Sequence, residues 1–306
     1  MSAQTSPSTM RVYGVERVCR AWDFPRSTYY AQQPRGGQVL TDEARLRRGP
    51  APPVPDDELL QLIRSDLTSS PFKGEGYRKV HARLKIVKGV RVAPKRVLRL
   101  MRANRLLSPH RVPRGQKDLH EGTICTTEPD DIWATDGAQI LTVDDGKVWL
   151  FVGVDHYHAE CVGWHVCKRG DRFAALQPIA QGLTTYFGGA HSGVGRGLTV
   201  RMDHGSQYLS DHFLNQLRSW GVAPSFAFVG EPQTNGVAER FIRTLKEQCI
   251  YGRVFRNLEE VRQAVAAFVE AYNQHWRLGK LNHRTPLEAR RDFAATGGTT
   301  TLATAA

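Results

Sequence analysis

The sequence is poor in cysteine and in long apolar runs, and both shortages exclude classes of protein. Its five cysteines are odd in number and form no Cys-x-x-Cys pair, which argues against a disulfide framework and a zinc knuckle. The longest apolar stretches, such as residues 148 to 154, fall far short of the roughly 20 residues that a membrane helix needs. The N-terminus lacks an apolar signal core. We therefore expect a cytoplasmic protein with no membrane partner.

Acidic residues are too few to balance the basic ones. The chain has 42 Lys and Arg against 30 Asp and Glu, a formal net charge of +12. The excess lies in residues 1 to 128, with 24 basic and 12 acidic residues, whereas residues 129 to 306 contain 18 of each. A basic module joined to a neutral one suggests that one end attracts phosphates and the other carries chemistry. On charge alone, a solvated surface or RNA binding remains an alternative.

The first third of the sequence predicts helices. Residues 13 to 31 have the outline of a helix-turn-helix, so we assign residues 1 to 35 to a helix-turn-helix-like segment. The polar, proline-rich residues 36 to 56 form a predicted linker. Apolar residues at helical spacing then predict three helices within residues 57 to 112. The third has a basic face made up of Lys95, Arg96, Arg99 and Arg102. We interpret residues 57 to 112 as a DNA-binding domain, although a solvated helix shows the same pattern.

After a second predicted linker, residues 113 to 128, the pattern becomes strand-like. Three β-rich segments, the first two joined by an Asp-Gly turn, are followed by alternating helices and strands. This order predicts a mixed sheet flanked by helices over residues 129 to 295. The small polar residues 296 to 306 are a predicted disordered tail. The expected fold class is therefore α/β, preceded by all-α segments.

Three carboxylates lie at places in this pattern from which side chains can converge. Asp136 is in the first predicted strand, Asp203 directly ends the strand at residues 198 to 202, and Glu239 opens a helix. Carboxylate oxygens suit a hard divalent ion such as Mg²⁺. Two such ions can activate an attacking oxygen and stabilise a leaving oxygen at phosphorus. We therefore assign all three as catalytic residues and as ligands of two Mg²⁺ ions, with Mn²⁺ as a substitute.

Two basic residues share the predicted face of the Glu239 helix. Arg243 and Lys246 follow Glu239 by about one and two turns, whereas Ala238 and Ile242 lie on the apolar face. We expect Lys246 and Arg243 to contact the DNA backbone. The alternative is an exposed Glu-Arg pair, worth only about a few tenths of a kcal/mol.

One group of His and Cys residues could bind zinc, but the spacing of its members argues against a zinc site. Its members are His156, His158, Cys161, His165 and Cys167. They straddle a predicted strand, in which alternate residues face opposite sides, and match no tetrahedral zinc module. We interpret the neighbouring acidic side chains Asp155, Asp144 and Asp145 as structural or turn residues.

The sequence around the three carboxylates resembles a known family. The matching segments are WATDG, DHGSQY and AERFIRTLKEQ, with 35 residues between Asp203 and Glu239. They resemble the integrase core of retroviral-type integrases and bacterial insertion-sequence transposases. Further matches to the second-frame transposase of two-reading-frame insertion elements are GEGYRKV, RVLRLMRANRL and AYNQHWRLGKLNHRTPLEA. The resemblance covers roughly residues 57 to 292.

The resemblance implies a ribonuclease-H-like fold and a transposase of the DDE type. Such an enzyme cleaves the ends of its element and joins the liberated 3′-hydroxyls to another phosphodiester. The implied partners are double-stranded DNA, as terminal inverted repeats and as target, and further copies of the chain in a dimer or higher oligomer. An upstream-frame helix-turn-helix protein, separate or fused by frameshifting, is a further implied partner.

Two departures from the family pattern and two rival functions remain open. Relatives often have Asp-Asn-Ala where this chain has Thr234, Asn235 and Gly236, and often have His where it has Leu278 and Gly279. Neither change alters a proposed metal ligand. One rival is a DNA-binding repressor with a decayed integrase core, and the other is a ribonuclease-H-type nuclease that acts on hybrids or junctions.

Overall fold

The computed structural model describes residues 2–32, 53–108, 126–227 and 235–297. The chain divides into two compact units, residues 1–53 and 54–306. Most of the linkers predicted at residues 36 to 56 and 113 to 128, and most of the tail predicted at 296 to 306, lie outside the described residues. These predictions stay predictions.

The first unit contains two short helices, α1 (Val15–Ala21) and α2 (Arg26–Gln32). The chain turns between them at Asp23, whose φ of 47° is left-handed. The amide of Phe24 closes the turn by donating to the carbonyl oxygen of Cys19 over 2.8 Å. Both helices predicted within residues 13 to 31 are therefore present, and their helix-turn-helix role stays a prediction.

The second unit begins with the three expected helices, α3 (Asp56–Ser69), α4 (Tyr77–Ile86) and α5 (Pro94–Ala103). Pro94 starts α5, where its missing N–H would have no helical partner. The buried side chains between the helices are Leu59, Ile63, Val80, Leu84, Val97, Leu100 and Met101. Arg83 of α4 binds the carboxylates of Asp66 and Glu75, which fixes the connection between α3 and α4.

A mixed five-stranded sheet follows, in the order β3-β2-β1-β4-β5. Its strands are β1 (Ile132–Thr142), β2 (Gly146–Asp155), β3 (Cys161–Cys167), β4 (Thr199–Met202) and β5 (Ala223–Phe226). The first three are antiparallel neighbours, whereas β4 and β5 run parallel to β1. This topology confirms the ribonuclease-H-like α/β prediction. The last strand, β5, is short and ends at Phe226.

Helices cover both faces of the sheet. On one face lie α6 (Arg172–Phe187), the short α7 (Ser206–Leu209) and α8 (Asp211–Ser219). On the other face lie α9 (Gly236–Leu245), a π-helical turn (Lys246–Ile250) and α10 (Leu258–His275). Successive side chains of β2 point to opposite faces of the sheet, so Phe151 packs under α6 and Val152 packs under α9.

The C-terminal segment packs beside the turn between β2 and β3. It contains a 3-10 turn (Gly279–Leu281) and α11 (Pro286–Ala295), which starts with a capping box at Thr285. Arg290 of α11 binds the carboxylates of Asp130 and Glu160. This network anchors α11 to the turn between β2 and β3. No described helix has the length and apolar character needed to cross a membrane.

The three-helix part is packed directly onto the sheet part. Phe72, in the connection between α3 and α4, is only 4% exposed and belongs to the same buried cluster as Phe241 and Leu245 of α9. The buried core of the sheet therefore includes a side chain from outside the range predicted for it, residues 129 to 295.

Candidate active site

Asp136 lies in the middle of the central strand of the sheet. Alternation along β1 places Asp136 on the same face as Ala138 and Ile140, which pack in the cluster beneath α9. Its carboxylate is partly exposed and accepts a hydrogen bond of 2.7 Å from the amide of Gly137. Any side chain at position 137 would collide with the Phe151 ring, because an added Cβ would lie 2.9 Å from it. The glycine therefore allows β1 and β2 to pair closely beside Asp136.

Asp203 follows β4 directly and lies level with Asp136 of the neighbouring strand β1. The parallel register pairs Ala134 of β1 with Arg201 of β4, so continuing both chains by two residues brings Asp136 level with Asp203. Val200 and Met202 pack on the opposite face, and alternation turns Asp203 toward α9. The exposed carboxylate accepts a 2.9 Å hydrogen bond from the amide of Gly205.

Glu239 lies in the first turn of α9, on its exposed side. The buried side of the helix contains Ala238, Phe241, Ile242 and Leu245. Arg243 is exposed one turn later, as predicted from the spacing. Lys246, however, is the first residue of the π-turn rather than part of a continuing α-helix.

Asp203, Glu239 and Lys246 all act electrostatically on Asp136. Burial raises the pKa of Asp136 to about 6, with further upward effects from Asp203 and Glu239 and a downward effect from Lys246. Burial also raises the pKa of Glu239, where Arg243 opposes and Asp203 adds to the shift. The negative charges of the three carboxylates therefore repel one another, and the positive charges of Lys246 and Arg243 partly offset this repulsion.

The donor set suits a hard divalent cation. Among the described residues no three His, Cys, Asp or Glu side chains are close enough to hold a metal ion together. The charges of Asp203 and Glu239 nevertheless raise the pKa of Asp136, and the charge of Asp203 raises that of Glu239; a bound cation would relieve that repulsion. All of their donor atoms are oxygens, which Mg²⁺ prefers.

The basic residues predicted to share one face of α5 differ in their contacts: some are exposed, and two bind other parts of the protein. Arg96 binds Asp56 at 2.8 Å through Nε and the carbonyl oxygen of Val54 at 2.6 Å through Nη2. Arg99 also binds Asp56, at 2.6 Å, but its side chain is 55% exposed. Lys95 and Arg102 are exposed. The surface available to a partner therefore consists of Lys95, Arg99 and Arg102, whereas Arg96 fastens α5 to the start of α3.

Among the His and Cys residues at positions 156 to 167, His158 and Cys161 are buried inside the protein. His158 is fully buried between Asp155, at 3.0 Å, and Glu160, at 3.6 Å. The carboxylate of Asp155 also accepts a bond from the amide of Asp130. Cys161 is buried, and burial raises the pKa of its thiol. Asp155 thus has the structural role that we expected.

Two residues beside the carboxylates were not predicted as site residues from the sequence. Asn235, just before α9, donates a 3.0 Å hydrogen bond from Nδ2 to the carbonyl oxygen of Thr135 in β1. Tyr208, five residues after Asp203, is fully buried and lies within the electrostatic reach of Asp136 and Asp203. An Asn at a helix start ordinarily indicates a cap, so the sequence offered no signal for the bond to β1.

Family models match most of the described chain. A model described as "Integrase core domain" matches residues 126–232, and a second model with the same description matches residues 220–286. Together they span more than half of the 306 residues. An "HTH-like domain" model matches residues 55–114, which contain α3 to α5.

Curated relatives align along most of the chain. The transposase for insertion sequence element IS629 of Shigella sonnei is 28% identical over 304 residues, 95% of this chain and 96% of the relative. The transposase InsD for insertion element IS2D of Escherichia coli strain K12 is 28% identical over 249 residues, 79% of this chain and 81% of the relative.

Solved structures of retroviral integrases are also similar to the chain. The HTLV-2 integrase catalytic core domain in complex with magnesium is 18% identical, covers 53% of this chain and 97% of its own, and gives a TM-score of 0.37. The BIV integrase catalytic core domain is 18% identical, covers 56% and 99%, and gives a TM-score of 0.40.

The family follows from the sequence comparisons. Two integrase-core models together span more than half of the chain, and insertion-sequence transposases align with it along most of its length. The chain therefore belongs to the integrase-core family of transposases.

Proposed function

We propose that this chain is a transposase that cleaves DNA at the ends of an insertion element and joins those ends to new DNA. The observation that supports this most is the electrostatic coupling of Asp136, Asp203 and Glu239 on one face of the integrase-core sheet. The transposases aligned along the chain support the same function.

The reaction consists of two displacements at phosphorus. In the first, water attacks the phosphodiester at the element end, and the bond to the 3′-oxygen breaks to leave a 3′-hydroxyl. In the second, that hydroxyl attacks a target phosphodiester, so one P–O bond forms as another breaks. Asp136, Asp203 and Glu239 would hold the divalent cations, Mg²⁺ with Mn²⁺ as a substitute and two per site. Bound there, the cations activate the attacking oxygen and stabilise the leaving one.

Basic side chains position the DNA in this proposal. Lys246 lies within the electrostatic reach of Asp136, so its ammonium group can bind a phosphate beside the scissile bond. Arg243 is one turn from Glu239 on the exposed face of α9 and binds the same backbone. Lys95, Arg99 and Arg102 of α5 bind a more distant part of the duplex, because α5 lies in the HTH-like region.

The proposed partners follow from the same chemistry. They are duplex DNA, as terminal inverted repeats and as target, and further copies of this chain, because two element ends must be joined in one event. An upstream-frame helix-turn-helix protein, separate or fused, is also proposed. The proposed location is the cytoplasm.

The experiment uses labelled duplex element ends, found as inverted repeats in the DNA that flanks the gene. We expect the chain to cleave these ends and join them to a second duplex when Mg²⁺ or Mn²⁺ is present. An RNA–DNA hybrid of the same sequence should remain intact. Cleavage of the hybrid in preference to the duplex ends would indicate a ribonuclease-H-type nuclease. Binding without cleavage at any metal concentration would indicate a repressor with an inactive core.

A further inference from the structure

We propose that Asn235 is a positioning residue that fixes the helix of Glu239 against the strand of Asp136, and this rests on the function proposed above. Asn235 is 2% exposed and lies four residues before Glu239. Its Nδ2 donates to the carbonyl oxygen of Thr135, the residue directly before Asp136, at 3.0 Å. Because a carbonyl oxygen only accepts hydrogen bonds, the amide nitrogen must face β1. One buried bond therefore joins the two carboxylate-bearing elements close to both carboxylates.

The side chain of Asn235 does not cap α9, although Asn235 directly precedes that helix. In the described part of the chain, it makes no hydrogen bond to the backbone N–H groups of α9. Four other helices of the same unit have the usual arrangement, in which the N-cap side chain accepts from a backbone amide; these caps are Asp171, Ser210, Asn257 and Thr285. At Asn235 the amide crosses to the sheet instead. A role in helix initiation therefore does not account for this buried contact.

Thr135 also lies beside α7, the short helix that follows Asp203. Alternation along β1 turns its side chain to the opposite face from Asp136, toward the fully buried Tyr208 of α7. The Tyr208 ring is packed edge-to-face against Phe213, with centroids 5.3 Å apart. Burial raises the pKa of Tyr208, and the Asp136 and Asp203 carboxylates add to this. Tyr208 therefore stays neutral. Thr135 lies between Asn235, which precedes the helix of Glu239, and Tyr208 of α7, the helix that follows Asp203.

The need for such a contact follows from the charges. The charges of Asp203 and Glu239 raise the pKa of Asp136, and that of Asp203 raises the pKa of Glu239, so repulsion opposes the close approach of β1, β4 and α9 before a cation binds. A buried hydrogen bond between α9 and β1 opposes that separation. Replacing a residue that orients metal ligands typically lowers metal affinity by about 10- to 100-fold. We expect loss of the Asn235 bond to act in this range.

The test measures the melting temperature of the full chain, without DNA, at increasing Mn²⁺ concentration. Asn235→Ala should need about 10-fold more Mn²⁺ for half of the full stabilisation. Asn273→Ala is a matched control, because Asn273 also joins a helix to a strand, with two 3.0 Å bonds between its amide and the backbone of Cys161. It should lower the melting temperature without changing the Mn²⁺ concentration at half effect.

Asp136→Asn separates failure of this inference from failure of the proposed function. If Asp136→Asn abolishes the Mn²⁺ response while Asn235→Ala keeps the wild-type concentration, the metal site stands and the positioning role is wrong. If Asp136→Asn responds to Mn²⁺ like the wild type, the proposed metal site is wrong, and the role of Asn235 with it. Should Asn235→Ala not fold, Asn235→Ser replaces it, because serine suits a helix start but is too short to reach Thr135. The same results support or overturn the proposal.

Discussion

The side-chain amide of Gln248 holds the backbone of Lys73 through two hydrogen bonds. The amide of Lys73 donates to Oε1, and Nε2 donates to the carbonyl oxygen of Lys73, each over 2.9 Å. Gln248 belongs to the π-turn that follows the Glu239 helix, and Lys73 lies between α3 and α4. Beside them, Phe72 packs edge-to-face against Trp276, with centroids 4.7 Å apart. The connection between α3 and α4 is thus hydrogen-bonded to the π-turn that begins with Lys246 and follows the helix of Glu239.

Removing the Phe72 side chain should weaken this attachment. Phe72 is buried among Phe268, Trp276 and the α9 residues, and truncation of a buried phenylalanine costs about 3 to 5 kcal/mol. We expect Phe72→Ala to lower the urea midpoint of the full chain. Phe173→Ala is the control, because Phe173 is 49% exposed and its loss should cost well under 1 kcal/mol, roughly the range of surface substitutions. Equal midpoints for the two variants would show that Phe72 is not part of the core.

Because the basic residues of α5 differ in their contacts, replacing them with alanine should have different effects. Lys95→Ala combined with Arg102→Ala should weaken binding of full-length protein to duplex DNA and reduce the salt dependence by about two units of slope, roughly one for each lost phosphate contact. Stability should not change, because both side chains are exposed. Arg96→Ala should instead lower stability, because Arg96 binds Asp56 and Val54. Fluorescence anisotropy over a range of salt concentrations gives the slope, and an unchanged slope in the double variant would contradict the proposed interface.

Lys246 should matter for reaction rather than for folding. Its proposed phosphate contact lies beside Asp136, and loss of a positioning contact impairs alignment of the reacting groups. We expect Lys246→Ala to reduce strand transfer without weakening the Mn²⁺ response, because loss of a positive charge beside Asp136 does not weaken cation binding. Lys168→Ala is a matched control, since Lys168 is 66% exposed and pairs with Asp145 at the β1–β2 turn. If both variants transfer strands equally well, Lys246 is only a surface charge.

The buried His156 should make the chain sensitive to acid. Burial lowers the pKa of His156 from 6.5 to about 4, so below pH 6.5 the unfolded state binds this proton more readily than the folded state. Stability is therefore lost as the pH falls from 6.5 toward 4, by about 2 kcal/mol at pH 5 from this residue. We expect His156→Gln to lose about that much less than the wild type between pH 7 and pH 5. Urea titrations at both pH values measure it, and the exposed His191→Gln should follow the wild type; identical losses in all three would contradict the account.

The sequence predicted the sheet correctly because strands show a local pattern, whereas the metal-binding role of the three carboxylates stays a prediction. Alternating apolar residues define β1 and β2, and Asp203 and Glu239 stand in recognisable segments. The residues that were missed have partners far away in the chain: Asn235 binds a residue 100 positions away, and Lys73 meets Gln248 across 175 positions. Arg96 binds Asp56, which is 40 residues away in the chain. The sequence therefore predicted that all four basic residues of α5 were free to bind DNA. Helical periodicity likewise gave no sign of the π-turn at Lys246.

The central claim is that Asp136, Asp203 and Glu239 form one metal-binding site that serves both cleavage and strand transfer. Asp136→Asn, Asp203→Asn and Glu239→Gln each keep the shape of the side chain while removing a negative charge. Each should therefore weaken cation binding and the alignment of the attacking and leaving oxygens. DNA binding should persist, because the phosphate-binding side chains are unchanged.

The most direct measurement follows Mg²⁺- or Mn²⁺-dependent cleavage and joining of labelled element ends by the wild type and the three variants, with DNA binding measured in parallel. The account predicts that all three variants bind the ends but neither cleave nor join them. If any one of them cleaves and joins like the wild type, that residue is not a metal ligand, and the proposed site is wrong.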